Sequence, residues 1–164
     1  MTVDRSFQGD YLPPDGNNFL RIVTTNFTDG IYGYVKTNPQ RLIPVESNTT
    51  YTLAGSYRTD DEHSAGFKVW EYTCQHPTTN TPCLPSGATT SLTNSILLSP
   101  TNGKWRAQAL KFTTKSNTTF IGIELDARGK DSVAYFDNIQ LAPALAIRSN
   151  SYAVPSCRLY SEGN

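Results

Sequence analysis

Glu124 and Asp126 are the two carboxylates whose spacing could support acid–base chemistry. Residues two apart in a strand share one face at about 7 Å, within the roughly 6.5–9.5 Å that separates the carboxylates of inverting glycosidases. Catalysis would also require a cleft between them and burial of one partner. Neighbouring positions on one strand face favour a solvated or hydroxyl-binding pair instead. The sequence therefore predicts binding rather than catalysis, with Glu124 as a candidate ligand residue.

A row of aromatic and basic side chains lies on the predicted strand over residues 66–72. Lys68, Trp70 and Tyr72 alternate with Phe67 and Val69, so the first three face away from the apolar pair. Aromatic rings on an outer sheet surface can receive the apolar faces of sugars, while polar neighbours bind hydroxyl groups. The charged neighbours of Trp70 suit a half-exposed ring, although packing in the core is the alternative.

Three further residues could extend this surface. Tyr32 and Tyr34 share one face of a predicted strand over residues 31–36. Arg58 points outward from the strand over residues 51–58 if Leu53 and Tyr57 point inward, although residues of this kind are more often simply solvated than ligand-binding. The complete predicted ligand-binding set is Trp70, Tyr72, Arg58, Tyr32, Tyr34, Lys68 and Glu124.

The three cysteines indicate a disulfide more readily than a metal site. Cys74 and Cys83 bracket a loop rich in Pro and Thr, and their disulfide would contribute somewhat under about 3 kcal/mol. The alternative is a zinc site that includes His76, but a structural zinc ion takes four ligands. Cys157 is left over, either as a free thiol or paired outside this segment.

Composition limits the classes of protein that this chain can represent. Its 164 residues fit one domain, with 37% hydrophobic and 17% charged residues and a formal net charge of zero. No basic surface for a nucleic acid backbone is expected, and no apolar run approaches the roughly 18 residues of a spanning helix. The N-terminal residues do not resemble a signal peptide, and the segment is expected to belong to a longer multidomain chain.

Short alternating strands separated by turns are predicted along most of the chain. No window of twelve residues follows a helical period, and turn sequences such as Pro-Thr-Asn-Gly separate the strands. This pattern predicts an all-β antiparallel sandwich, most naturally a jelly roll, over residues 1–145, with an edge strand or linker over 146–164. The predicted strands cover residues 19–23, 31–36, 51–58, 66–72, 95–98, 105–113, 119–125 and 132–141.

Four segments, in order and spacing, resemble the carbohydrate-binding modules of the family 4, 9 and 22 type. They are residues 47–58, 103–113, 119–125 and the closing strand 132–141, and the resemblance extends over residues 15–143. It implies a galactose-binding-like jelly roll, a packing role for Trp105, and a binding aromatic in or beside the loop that precedes Tyr34.

The same resemblance implies a structural calcium ion. In these modules an acidic residue of the first strand and the first Asp of the closing strand help to hold it, and the latter position is Asp137. The first-strand position is Gln8, which departs from the family pattern. The alternative for Asp137 is a bulge carboxylate that accepts hydrogen bonds from backbone amides.

The sequence thus favours a non-catalytic module that tethers a larger secreted protein to a polysaccharide, in an extracellular or cell-surface setting. Neither Gly-x-Ser-x-Gly nor His-Glu-x-x-His occurs in the chain. Because one scaffold can carry many functions, the alternative is a structural or adhesion domain of a surface or phage tail protein without a sugar site.

Overall fold

The computed structural model describes residues 14, 18–24, 32–38, 41–73 and 89–144. These residues form a sandwich of two antiparallel sheets. No helix within them is long and apolar enough to cross a membrane. The strands are β1 (Leu20–Val23), β2 (Tyr32–Lys36), β3 (Ile43–Pro44), β4 (Thr50–Arg58), β5 (Ser64–Thr73), β6 (Thr89–Leu98), β7 (Arg106–Thr113), β8 (Phe120–Arg128) and β9 (Val133–Pro143).

Strands that follow one another in sequence mostly lie in different sheets. One sheet has the order β1-β9-β4-β7, and the other has the order β2-β8-β5-β6. The short strand β3 joins the second sheet by pairing with the start of β8, and β2 pairs with the rest of that strand. The five-stranded sheet therefore has β8 and β5 at its centre.

Apolar residues at alternate positions of β4 and β5 build the core between the sheets. Tyr51, Leu53 and Tyr57 of β4 are buried, as are Phe67 and Val69 of β5. The ring of Phe67 meets that of Phe136 from β9 with centroids 6.0 Å apart, which joins the two sheets. Apolar side chains at every second position thus give each sheet an apolar face that packs in the core.

The predicted all-β sandwich is confirmed, and each predicted strand is present to within a few residues except at the start of β6. That strand begins at Thr89 rather than residue 95, because polar Thr and Ser residues continue the pairing with β5. The two-residue β3 was not predicted, since Ile43–Pro44 is too short to show alternation.

The predicted turn between β6 and β7 is also present. Asn102 and Gly103 both have positive φ, 55° and 74°, and Lys104 N–H donates to the Thr101 carbonyl at 3.2 Å. These two left-handed positions suit Asn-Gly, because neither residue type disfavours positive φ strongly.

Several predictions concern residues outside the described part of the chain. They are the disulfide between Cys74 and Cys83, the state of Cys157, the contribution of Gln8, and the segment 146–164. Each of these stays a prediction.

Candidate functional site

The outer face of the five-stranded sheet brings most of the predicted ligand residues together. Pairing sets Tyr34 and Lys36 of β2 opposite Asp126 and Glu124 of β8. On the other side of β8, Glu124 is opposite Lys68 of β5. These positions alternate with the buried positions of the core and therefore face away from it.

Both carboxylates on this face are buried and fully engaged. Glu124 is 3% exposed; its Oε1 accepts from Lys68 Nζ at 2.7 Å and its Oε2 accepts from Trp70 Nε1 at 2.8 Å. Asp126 is 0% exposed and accepts two hydrogen bonds from Arg128 at 2.7 and 3.1 Å. Lys68 Nζ also lies 3.0 Å from Asp126 Oδ2. Each of the four carboxylate oxygens thus has a donor.

Lys68 is the cation that joins the two carboxylates. Its burial acts to lower the pKa of the Lys68 ammonium, but the hydrogen bonds and charges of Glu124 and Asp126 outweigh burial and raise this pKa above its ordinary value. The charged form is thus held between two anions. Lys68, Glu124 and Asp126 thus form a buried ionic cluster next to Trp70.

Trp70 is half-buried on the outer face rather than sealed between the sheets. Its hydrogen bond to Glu124 fixes one edge of the indole, and Lys36 Nζ lies 3.8 Å from the ring centroid. The residue of β8 opposite Trp70 is Gly122, so no β8 side chain at that position separates the ring from β2. A cation over an indole contributes about 0.5–1 kcal/mol at an exposed site.

Two glycines, Gly66 and Gly122, leave space for buried side chains on this face. A Cβ added to Gly66 would lie 2.6 and 2.8 Å from the Asp126 oxygens and 2.8 Å from an Arg128 nitrogen. At Gly122 the nearest atom would be Cε2 of Tyr72 at 3.2 Å. The ion pair of Asp126 and Arg128 therefore occupies the space that a side chain at position 66 would take.

The predicted tyrosines differ in exposure. Tyr34 is 58% exposed, whereas Tyr72 is 3% exposed with its ring over Gly122. Tyr32 is the first residue of β2, and its side chain is not among those that the structure describes. Tyr34 and Trp70 are therefore the two predicted rings that the described structure presents at this surface.

The structure does not bring Arg58 to this surface. Arg58 belongs to β4 in the other sheet, where its guanidinium lies 5.0 Å from the ring centroid of Tyr135. It lines an open pocket of about 190 Å³ together with Asp60, Gly103 and Tyr135. The sequence indicated the outward side of Arg58 but not that β4 and β5 lie in different sheets.

Trp105 lies beside the same four-stranded sheet. It immediately precedes β7, is half-buried, and packs edge-on against Phe19 with ring centroids 6.4 Å apart. Trp105 therefore packs beside the four-stranded sheet, whereas Trp70 belongs to the five-stranded sheet.

Lys36 is the residue of this surface that sequence reasoning left out of the ligand set. Alternation along β2 puts Lys36 on the same face as Tyr34, and this was the signal available in the sequence. Its contact with Trp70 could not be derived, because it depends on β8 lying between β2 and β5.

Asp137 lies at a bulge in β9 rather than within a cluster of acidic residues. The register with β4 shifts between Ala54 and Ser56, and Asp137 Oδ1 accepts from the Asn138 N–H at 2.8 Å. Asn138 itself has a φ of 50°. Among the described residues, no group of three or more His, Cys, Asp and Glu side chains could hold a metal ion. Calcium takes six to eight oxygens, several of which can be backbone carbonyls, and the first-strand position Gln8 lies outside the described residues, so calcium stays a prediction.

Comparison with known proteins relates this chain to solved structures but to no known sequence family. No family model matches the sequence, and no curated protein matches it. Among solved structures, a Family 16 Carbohydrate Binding Module aligns with a TM-score of 0.53 and 16% identity, over 80% of this chain and 82% of that one.

Two further structures contain modules of family 22. The CBM22-1 xylan-binding domain from Paenibacillus barcinonensis aligns with a TM-score of 0.50 and 13% identity, over 87% of this chain and 80% of that one. The CBM22-1-GH10 modules of a Clostridium thermocellum endo-1,4-beta-D-xylanase, complexed with xylohexaose, align with a TM-score of 0.50 and 10% identity. That alignment covers 84% of this chain and 24% of the xylanase chain. The resemblance in the sequence is thus confirmed at the level of the fold: the chain has the β-sandwich architecture of carbohydrate-binding modules.

Proposed function

We propose that this domain is a non-catalytic carbohydrate-binding module whose ligand lies on the outer face of the five-stranded sheet. The observation that carries the proposal is the half-buried Trp70 ring, whose N–H is fixed by Glu124. Tyr34, on β2, offers a second and more exposed ring across β8. Rings mounted on paired strands are held in place before the ligand arrives, which limits the ordering cost of binding.

Glu124 and Tyr72 serve this surface by support rather than by contact with the sugar. Both are 3% exposed, and both oxygens of Glu124 already accept hydrogen bonds. Acid–base hydrolysis would need a protonated carboxyl group facing a cleft, whereas these carboxylates are buried against Lys68 and Arg128. The proposed mechanism is therefore binding alone, in a domain that tethers a larger extracellular or cell-surface protein to a polysaccharide.

Affinity electrophoresis against a broad polysaccharide panel tests this proposal. We expect at least one glycan to retard the wild-type domain, and Trp70→Ala to weaken binding by about tenfold or more. Tyr34→Ala provides a second test, at a position that is 58% exposed. Trp105→Ala is the matched control, since it removes the other tryptophan, beside the four-stranded sheet, and should leave retention unchanged in folded protein.

The opposite outcomes separate the alternatives. A domain that no glycan retards would support the structural or adhesion function instead. Release of reducing sugar by the isolated domain, lost in Glu124→Gln, would identify an enzyme.

A further inference from the structure

The charges on the outer face of the five-stranded sheet do not cancel. Outward positions of β2, β8 and β5 carry three cations, Lys36, Lys68 and Arg128, against two carboxylates, Glu124 and Asp126. The four carboxylate oxygens accept from Lys68, Arg128 and Trp70. Within the described residues, Lys36 has no carboxylate within 4.0 Å, so one positive charge is in excess.

Aromatic rings hold this extra cation at the surface. Lys36 Nζ lies 3.8 Å from the centroid of Trp70 and 5.9 Å from that of Tyr72. The lysine is half-buried, and its ammonium lies over one face of the indole. A ligand on that face must either displace the ammonium or interact with it.

We propose that this surface selects an acidic glycan, whose anionic substituent pairs with Lys36 while the sugar ring lies against Trp70. A neutral sugar that displaces Lys36 would break the cation–π contact between Lys36 and Trp70. It carries no charge that could pair with the displaced lysine. An acidic sugar replaces that contact with an ion pair, for which the flexible lysine stem can reorient. This proposal rests on the proposed function, because it names the ligand class of the same surface.

The anionic group could be a carboxylate or a sulfate, because a lysine ammonium acts as a point charge towards both. Polymer pairs with one backbone distinguish these sources. Glucuronoxylan and its carboxyl-reduced form test the carboxylate, as do polygalacturonate and its methyl ester. Dextran sulfate and dextran test the sulfate.

We expect the acidic member of a retained pair to bind about three- to tenfold more tightly than its neutral partner at low salt. The preference should shrink at 0.5 M NaCl, because salt screens an exposed ion pair. Lys36→Gln should abolish it and Lys36→Arg should keep it. Lys111→Gln, at an exposed position on β7 of the other sheet, removes the same charge and should leave the preference intact.

Equal binding within every retained pair, or tighter binding of the neutral members, would overturn this inference and leave the proposed function standing. A preference for the acidic polymer that survives Lys36→Gln would also overturn it, since another residue would then bind the anionic group of the glycan. Absence of binding to every polymer, acidic or neutral, would instead remove the proposed function and this inference together.

Discussion

The indole N–H of Trp70 donates to Oε2 of Glu124 at 2.8 Å, while Oε1 of the same carboxylate accepts from Lys68 at 2.7 Å. One buried anion thus holds an aromatic ring and a cation on neighbouring positions of β5. The ring most suited to contact a ligand is therefore positioned by a charged group that the ligand need not touch.

Glu124→Gln should destabilise the domain by about 1–3 kcal/mol. The amide can accept one hydrogen bond, but the buried Lys68 then loses the negative charge of Glu124 and keeps its ion pair with Asp126. Urea denaturation measures the loss. Glu46→Gln is the control, because that side chain is exposed and its replacement should change stability by less than about 0.5 kcal/mol. Equal stability of both variants would contradict the supporting role of Glu124.

Gly66→Ala should cost about 1–3 kcal/mol, since the new methyl group would lie 2.6 Å from a buried oxygen of Asp126. Gly122→Ala is the matched comparison on the same face. Its closest contact is 3.2 Å to the Tyr72 ring, so we expect a smaller loss. Thermal melts of the two variants measure the order, and a reversed order would show that Asp126 and Arg128 yield more easily than the tyrosine.

Glu71 should make the free energy of unfolding of the domain depend on pH in the acidic range. Burial acts to raise the pKa of this carboxyl group, but its contacts with Thr93 and Lys115 outweigh burial, so the folded pKa lies below the ordinary 4.5. A carboxyl group whose pKa is lower in the folded state stabilises the fold at pH values above its pKa in the unfolded state. This stabilisation is lost as the pH falls through the pKa of the folded state. Stability measured from pH 7 to pH 3 should thus fall less steeply in Glu71→Gln than in wild type.

The control for this profile is Glu62→Gln, which removes an exposed carboxylate. We expect its profile to follow wild type. Parallel profiles for wild type and Glu71→Gln would contradict the assigned role of Glu71, whose Oε1 accepts from the Lys115 backbone N–H at 2.9 Å.

Asp137→Asn distinguishes the bulge from a metal site. Because Asp137 accepts from the Asn138 backbone within its own bulge, we expect a loss of about 1 kcal/mol that is the same with and without a calcium chelator. Melting temperatures in EDTA and in added calcium provide the measurement. A chelator effect that wild type shows and Asp137→Asn lacks would support the calcium predicted from the family resemblance.

The sequence was sufficient to predict the faces of the strands but not how the strands are arranged. Alternation along β4 predicted the burial of Leu53 and Tyr57, because period-two patterning is a local property. It could not predict that β4 and β5 lie in different sheets, which separates Arg58 from Trp70. The contact between Lys36 and Trp70 likewise depends on long-range pairing across β8.

The interleaved strand order has a consequence for biosynthesis. Among the described strands, β1 pairs with β9, β2 pairs with β8, and β4 lies between β7 and β9. The partner strands that the structure describes for β1, β2 and β4 all begin at or after residue 106, and the four-stranded sheet is complete once β9 ends at Pro143. On the ribosome, β1, β2 and β4 must therefore wait for these later strands, and the four-stranded sheet can close only after β9 has left the exit tunnel.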